Sequence, residues 1–185
     1  TPMRYLKLIT LVSFALFVAA CGDNTTQKQD EAPATATAAE PVVNAPQFDA
    51  DSAYDHIAKQ VAFGPRTPGS QAQVQCAKWM QAKLHEYCDT VYRQDVKVTG
   101  GDGKSLPCIN LIGVINPKAS KRILFLTHWD SRPWADQDVT NKDKPILAAD
   151  DGGSGVGVLL EMARQIKAFG LSGSTGIDIL FTDVE

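Results

Sequence analysis

Apolar residues recur along the chain with two different periods, and the switches between them mark out its elements. Asp49 or Asp51 can cap a first helix that carries Ala53, Ile57, Val61 and Ala62 along one side. Phe63-Gly64-Pro65-Arg66-Thr67-Pro68-Gly69-Ser70 breaks that helix with a turn. Ser70 then opens a second helix, with Val74, Ala77, Met80, Leu84 and Tyr87 near helical spacing. The period drops to two over Thr90–Thr99, where Val91, Val96 and Val98 are interleaved with polar residues as in a strand. Residues 100–104 read as a turn, and 108–115 as a second strand ended by Asn116-Pro117. A third strand, 122–127, is continuously apolar through Ile123, Leu124, Phe125 and Leu126, which predicts burial on both of its faces. A long polar loop over 129–144 follows, and loops of that length at strand ends are often functional. The turn Gly152-Gly153-Ser154-Gly155 opens a helix with Val156, Leu159, Leu160, Ala163 and Ile166 on one stripe. Gly170 closes it, and a fourth strand, 177–182, ends in Asp183-Val184-Glu185. Strand, helix and strand in this order predict an α/β fold, and no internal repeat is present. Glu185 comes directly after a strand of buried type, so the reading is of the N-terminal part of a longer domain, truncated at its C-terminus.

The first 47 residues follow neither period. Arg4 and Lys7 precede an apolar run over 8–17, and Val18-Ala19-Ala20-Cys21 supplies small residues ahead of a cysteine. This is a targeting segment, and its last four residues resemble a bacterial lipobox in which Cys21 is lipidated after cleavage. The apolar run is short of the roughly 18–20 residues of a spanning helix. Residues 22–47 are rich in Ala, Thr, Pro and Gln and too poor in large apolar residues to repay chain entropy, so they read as a disordered linker. The expected organisation is a lipoprotein signal peptide over 1–21, a tether over 22–47 and a catalytic domain over 48–185. Such a chain is exported, and a periplasmic or outer-membrane lipoprotein held at the membrane by its lipid is the expectation.

Charge narrows the partners. Without Arg4 and Lys7 the formal charge of −3 falls to −5. No basic stripe offers phosphate neutralisation, which argues against nucleic acid. Export permits disulfides, yet Cys76, Cys88 and Cys108 are odd in number. One pair with a free thiol, or three buried thiols, both fit.

Hard ligands gather where strands end. His128 and Asp130 form a His-x-Asp pair after the third strand, and alternation turns both to the same side. The carboxylate can then orient the imidazole or share its metal. Asp150-Asp151 precedes the glycine turn, where unpaired helix amides favour a carboxylate, either as a helix cap or as a ligand for zinc. His56 and His85, on the first two helices, read as surface or satisfied histidines. Gly153–Gly157 could suggest a dinucleotide turn, but a pair of aspartates sits where phosphates would need neutral or positive surroundings.

His128-Trp129-Asp130, then residues 149–161 beginning Ala149-Asp150-Asp151-Gly152-Gly153-Ser154-Gly155, then Phe181-Thr182-Asp183-Val184-Glu185, resemble in that order the zinc aminopeptidase and glutaminyl cyclase superfamily. Residues 63–70 and Ser131-Arg132-Pro133-Trp134 resemble its bacterial glutaminyl cyclases most closely. The resemblance implies an open, twisted, mixed β-sheet flanked by helices, of the zinc exopeptidase-like kind. It implies one zinc in a cyclase and two in an aminopeptidase. Asp151 matches the zinc-binding aspartate and Glu185 the general acid/base. His128 matches a ligand of the two-zinc peptidases, and in a cyclase it would be a neighbour held by Asp130. The remaining acidic ligand would be the residue after Glu185, and a histidine ligand would follow later. The activity implied is conversion of N-terminal Gln of peptide or protein substrates to pyroglutamate with release of ammonia. The alternatives are a two-zinc aminopeptidase, or a catalytically silent anchored binding homologue.

Overall fold

The structure is a computed structural model, and it describes residues 45–171 and 174–185. The leader, its Cys21 and most of the tether (residues 1–44) lie outside the described residues. The first helix, α1 (Ala50–Ala62), begins where Asp49 accepts a hydrogen bond from the Ser52 amide at 3.0 Å. Helix α2 (Gln71–Tyr87) is capped in the same way, Ser70 Oγ accepting from the Gln73 amide at 3.0 Å. Strands β1 (Thr90–Thr99), β2 (Ser105–Ile115) and β3 (Lys121–His128) follow. Helix α3 (Gly153–Phe169) then crosses back to strand β4 (Thr175–Thr182).

The four strands form one sheet in the order β1-β2-β4-β3. β1 pairs antiparallel with β2, β2 antiparallel with β4, and β3 parallel with β4. This is the open mixed sheet expected, with α3 as the crossover that a parallel pair needs. β2 hydrogen-bonds into the sheet three residues earlier than the apolar pattern announced, because Ser105, Leu106 and Pro107 pair across the hairpin with Thr99, Val98 and Lys97.

One face of the sheet carries Ile109, Leu111, Ile177, Ile179 and Phe181, which pack with Met80 and Leu84 of α2 and Val156 and Leu160 of α3. Burying each such side chain contributes roughly 1.5–3 kcal/mol. Helix α1 lies against α3, and the two come so close that a Cβ on Gly157 would stand 2.7 Å from Ile57 Cγ1 and 2.8 Å from Ala53 O.

Three sequence expectations change here. β3 is not buried on both faces: Leu124 and Leu126 point away from the helices and are each 59% exposed. The helices pack on the other face of the sheet, and among the described residues no helix covers this one. On α1 the buried residues are Ala53, His56 and Gln60; Ile57 meets α3 at Gly157 as expected, and Ala62 is exposed. On α2, Val74 is exposed while Gln73 and Cys76 face the core. Of the two histidines, His85 is exposed, but His56 is buried and its Nε2 has no hydrogen-bond partner. Cys76, Cys88 and Cys108 are all buried free thiols, and burial pushes Cys76 up to about 12 and Cys88 to about 11. Among the described residues, no helix is long and apolar enough to cross a membrane.

Candidate metal centre

The site is built where β3 and β4 end side by side. Parallel pairing sets His128 opposite Thr182, so the residues leaving both strands emerge together at the carboxyl edge of the sheet. Trp129 alternates into the core, where it is fully buried. Its indole N–H donates to Ile109 O at 3.1 Å and its amide to Thr182 O at 3.0 Å. With Trp129 turned inward, His128 and Asp130 face the opposite side, and His128 Nδ1 stands 3.6 Å from Asp130 Oδ1.

The end of β4 is held by a carboxylate to which sequence reasoning assigned no role. Asp183 is buried, and its Oδ2 accepts from Gln73 Nε2 at 2.6 Å and from the Ile109 amide at 2.8 Å. Its Oδ1 accepts from the Val184 amide at 3.0 Å. Burial pushes its pKa up to about 6, although these donors pull the other way. Val184 takes a left-handed conformation, φ 65°, that β-branched residues rarely adopt. The turn brings the Glu185 amide to 3.4 Å from both carboxylate oxygens of Asp130. Asp130 is itself buried, and burial raises its pKa against the opposing pull of that amide and of His128.

The third segment is the loop before α3. Here the expectation that helix amides hold Asp151 is corrected. The residue preceding the helix is Gly152, no side chain caps the helix, and Ser154 Oγ donates instead to Asp150 O at 2.6 Å. Asp151 is therefore no cap, and its half-exposed carboxylate turns to His128, with Oδ1 3.1 Å from Nε2. Gly152 makes that approach possible. Its φ is 91°, and a Cβ there would lie 3.0 Å from both Asp130 O and His128 Cε1. The loop is held from behind by Arg66, which donates to Leu147 O at 2.7 Å and Ala148 O at 2.8 Å.

One ligand atom from each of His128, Asp151 and Glu185 lies within 4.8 Å of the others. The set is one imidazole nitrogen and two carboxylate oxygens, the donors that suit zinc. His128 Nδ1 is buried without a hydrogen-bond partner, although Asp130 and Glu185 oxygens stand 3.6 and 3.5 Å away. Carboxylates crowded round one imidazole repel each other, and a divalent cation relieves that repulsion. The residues fit a metal ion. Beside them opens a cleft of about 740 Å³, walled by Arg132, Pro133 and Trp134 on one side and by the β1–β2 hairpin at Asp102 and Lys104 on another.

Residues 110–185, which include all three ligand-bearing segments, match Peptidase family M28. The chain is 48% identical to Tannerella forsythia glutaminyl cyclase (TM-score 0.73), the match covering 76% of this chain and 48% of that one. Against Bacteroides thetaiotaomicron glutaminyl cyclase bound to N-acetylhistamine, identity is 45% and TM-score 0.74, over 77% and 49% of the two chains. A leucine aminopeptidase precursor from Bacteroides thetaiotaomicron is 46% identical with TM-score 0.74, over 78% and 50%. The chain thus spans about half the length of these solved relatives. None of the curated proteins matches it.

The structure brings together His128, Asp130, Asp151 and Glu185. Sequence reasoning passed over Asp183 and gave Arg66 no role, because neither shows in hydrophobic periodicity. The one available signal was negative: each is a charged residue inside a segment that packs, and a buried charge must have partners.

Proposed function

We propose that the whole protein is a zinc-dependent glutaminyl-peptide cyclotransferase. The observation that carries this reading is the convergence of His128, Asp151 and Glu185 from three separate segments, all within 4.8 Å. Glutaminyl cyclases at 45–48% identity support it. In the reaction, the α-amine of an N-terminal glutamine attacks its own side-chain carboxamide. A carbon–nitrogen bond forms to close pyroglutamate, the bond to the amide nitrogen breaks, and ammonia leaves.

Asp151 would hold a zinc ion, with His128 as its neighbour, and the chemistry the ion would supply there is that of a Lewis acid toward the amide carbonyl. Glu185 takes the proton from the attacking amine and returns it to the departing nitrogen. Its carboxylate is exposed to the cleft, while its backbone is held at Asp130, so the group that moves protons reaches substrate from a fixed base. Asp130 faces His128 Nδ1 across 3.6 Å, where its charge favours the ring orientation seen. Trp134, more than half exposed at the cleft wall, offers an apolar surface to the residue being cyclised.

A second reading is a two-zinc aminopeptidase, in which His128 is a ligand and Glu185 deprotonates water. It is supported by the 3.1 Å approach of His128 to Asp151 and by the leucine aminopeptidase precursor among the relatives. Incubating the whole protein with a Gln-initiated peptide and following its mass separates the two. Loss of ammonia with the peptide length unchanged is the expected result. Removal of the first residue establishes the peptidase, and an unchanged peptide overturns both. The leader pattern through Cys21 supports an exported lipoprotein whose substrates are peptides or proteins outside the cytoplasm.

A further inference from the structure

Arg66 is a cation that stability alone gives little reason to bury. It is fully buried, and all its side-chain hydrogen bonds go to backbone carbonyls. Nε donates to Trp129 O at 3.0 Å, between His128 and Asp130. Nη1 and Nη2 donate to Leu147 O and Ala148 O at 2.7 and 2.8 Å, just ahead of Asp150-Asp151. One planar guanidinium thus spans the two segments whose separation sets the distance between His128 and Asp151. The backbone of Arg66 doubles the grip on the first segment: its amide donates to Ser131 Oγ at 2.9 Å, and its carbonyl accepts from the Ser131 amide at 3.2 Å.

The second segment shows why a clamp is needed. Ala148 adopts φ 49°, a left-handed conformation that is uphill for alanine. That conformation points its carbonyl at Arg66, and the same oxygen accepts from the Gly153 amide at 3.2 Å at the start of α3. The bonds to Arg66 hold a strained turn that would otherwise relax, and Asp151 would move with it.

We propose that Arg66 is the positioning residue of the metal centre, fixing the strand end that carries His128 and Asp130 against the loop that carries Asp151. The inference rests on the metal-centre reading above. Lysine cannot replace it, because one ammonium on a flexible stem does not present a planar fork to three carbonyls on two segments. Partners that orient ligands from behind are commonly worth about 10–100-fold in metal affinity.

The test measures zinc affinity of the whole protein by competition with a chromogenic chelator, alongside thermal unfolding of the metal-free forms. Arg66→Lys is expected to fold and to bind zinc at least tenfold more weakly. Its cobalt(II)-loaded form should show an altered visible absorption spectrum. Ser131→Ala, which removes one backbone tether and spares the guanidinium, should weaken zinc in the same direction by a smaller factor, and it decides the matter should Arg66→Lys fail to fold. A residue that only stabilises the fold would lower the unfolding temperature and leave zinc affinity and the cobalt spectrum as in wild type. That result in the folded variants overturns the proposal while sparing the proposed function. A wild-type protein that binds no zinc removes the metal-centre reading, and this inference with it.

Discussion

Glu185 has its carboxylate 3.5 Å from His128 Nδ1 and open to the cleft, while its backbone amide approaches a buried carboxylate. Replacing it by glutamine keeps the shape and removes the proton acceptor. Turnover of Glu185→Gln should fall by about 10²–10⁴-fold. Zinc affinity should fall much less, because in the cyclase reading Asp151 holds the ion and the glutamine Oε1 can still face it; steady-state kinetics with a metal titration measures both. Gly152 is the other residue on which the site turns. Alanine there would adopt a backbone conformation reserved for glycine and collide with the His128 ring and Asp130 O. Gly152→Ala should cost about 1–3 kcal/mol of stability from backbone strain. It should also weaken zinc binding, since only the collision displaces His128; calorimetric unfolding and chelator competition read the two effects separately. Gly152 read only as turn chemistry, whereas Glu185 took its acid/base role from the family resemblance; what each touches depends on segments far away in the chain.

Helix α1 shows what sequence patterns carry at the scale of elements, and where they stop. Its start at Asp49 was among the residues the capping pattern picked out, since the cap is a local hydrogen bond. Its inward face was misjudged, because Gln60 is buried to donate to Gly153 O at 3.0 Å and to His56 O at 3.2 Å. Hydrophobic periodicity does not register a polar side chain buried to anchor a neighbouring helix. α3 carries a related surprise in Glu161, buried on the face that meets the start of α1. Burial pushes this carboxyl up, but hydrogen bonds from Arg164 and Gln165 and from the Asp49 amide outweigh it and hold the pKa down to about 2. A depressed carboxyl stabilises the fold above its ordinary value of 4.5, and that contribution is lost as pH falls toward 2. Glu161→Gln should therefore lose on the order of 2–3 kcal/mol at neutral pH and show a flatter acid limb, read by urea unfolding across that range. β3 failed differently: its apolar run announced a strand correctly, but burial on both faces needs a layer on each, and the described helices pack on one face only.

For the molecule as a whole, the leader and the domain make separate predictions. If Cys21 carries a lipid, Cys21→Ser should move the protein from the membrane fraction to the soluble one without changing the activity per molecule; fractionation with immunoblotting checks this. The metal count of the purified whole protein should be one zinc for the cyclase, and a second equivalent would favour the peptidase. The sequence by itself determined the order of helices and strands, the caps of the first two helices, the turns, and which residue types stand at strand ends. These are set by neighbours within a few positions, through backbone conformation and side-chain alternation. Only the tertiary structure decided that His128, Asp151 and Glu185 meet within 4.8 Å. That meeting needs the parallel pairing of β3 with β4, a strained turn at Ala148, and a buried guanidinium joining two loops. The strand pairing and the guanidinium bridge are contacts between distant parts of the chain, the bridge bonds the turn at Ala148, and no local period encodes them.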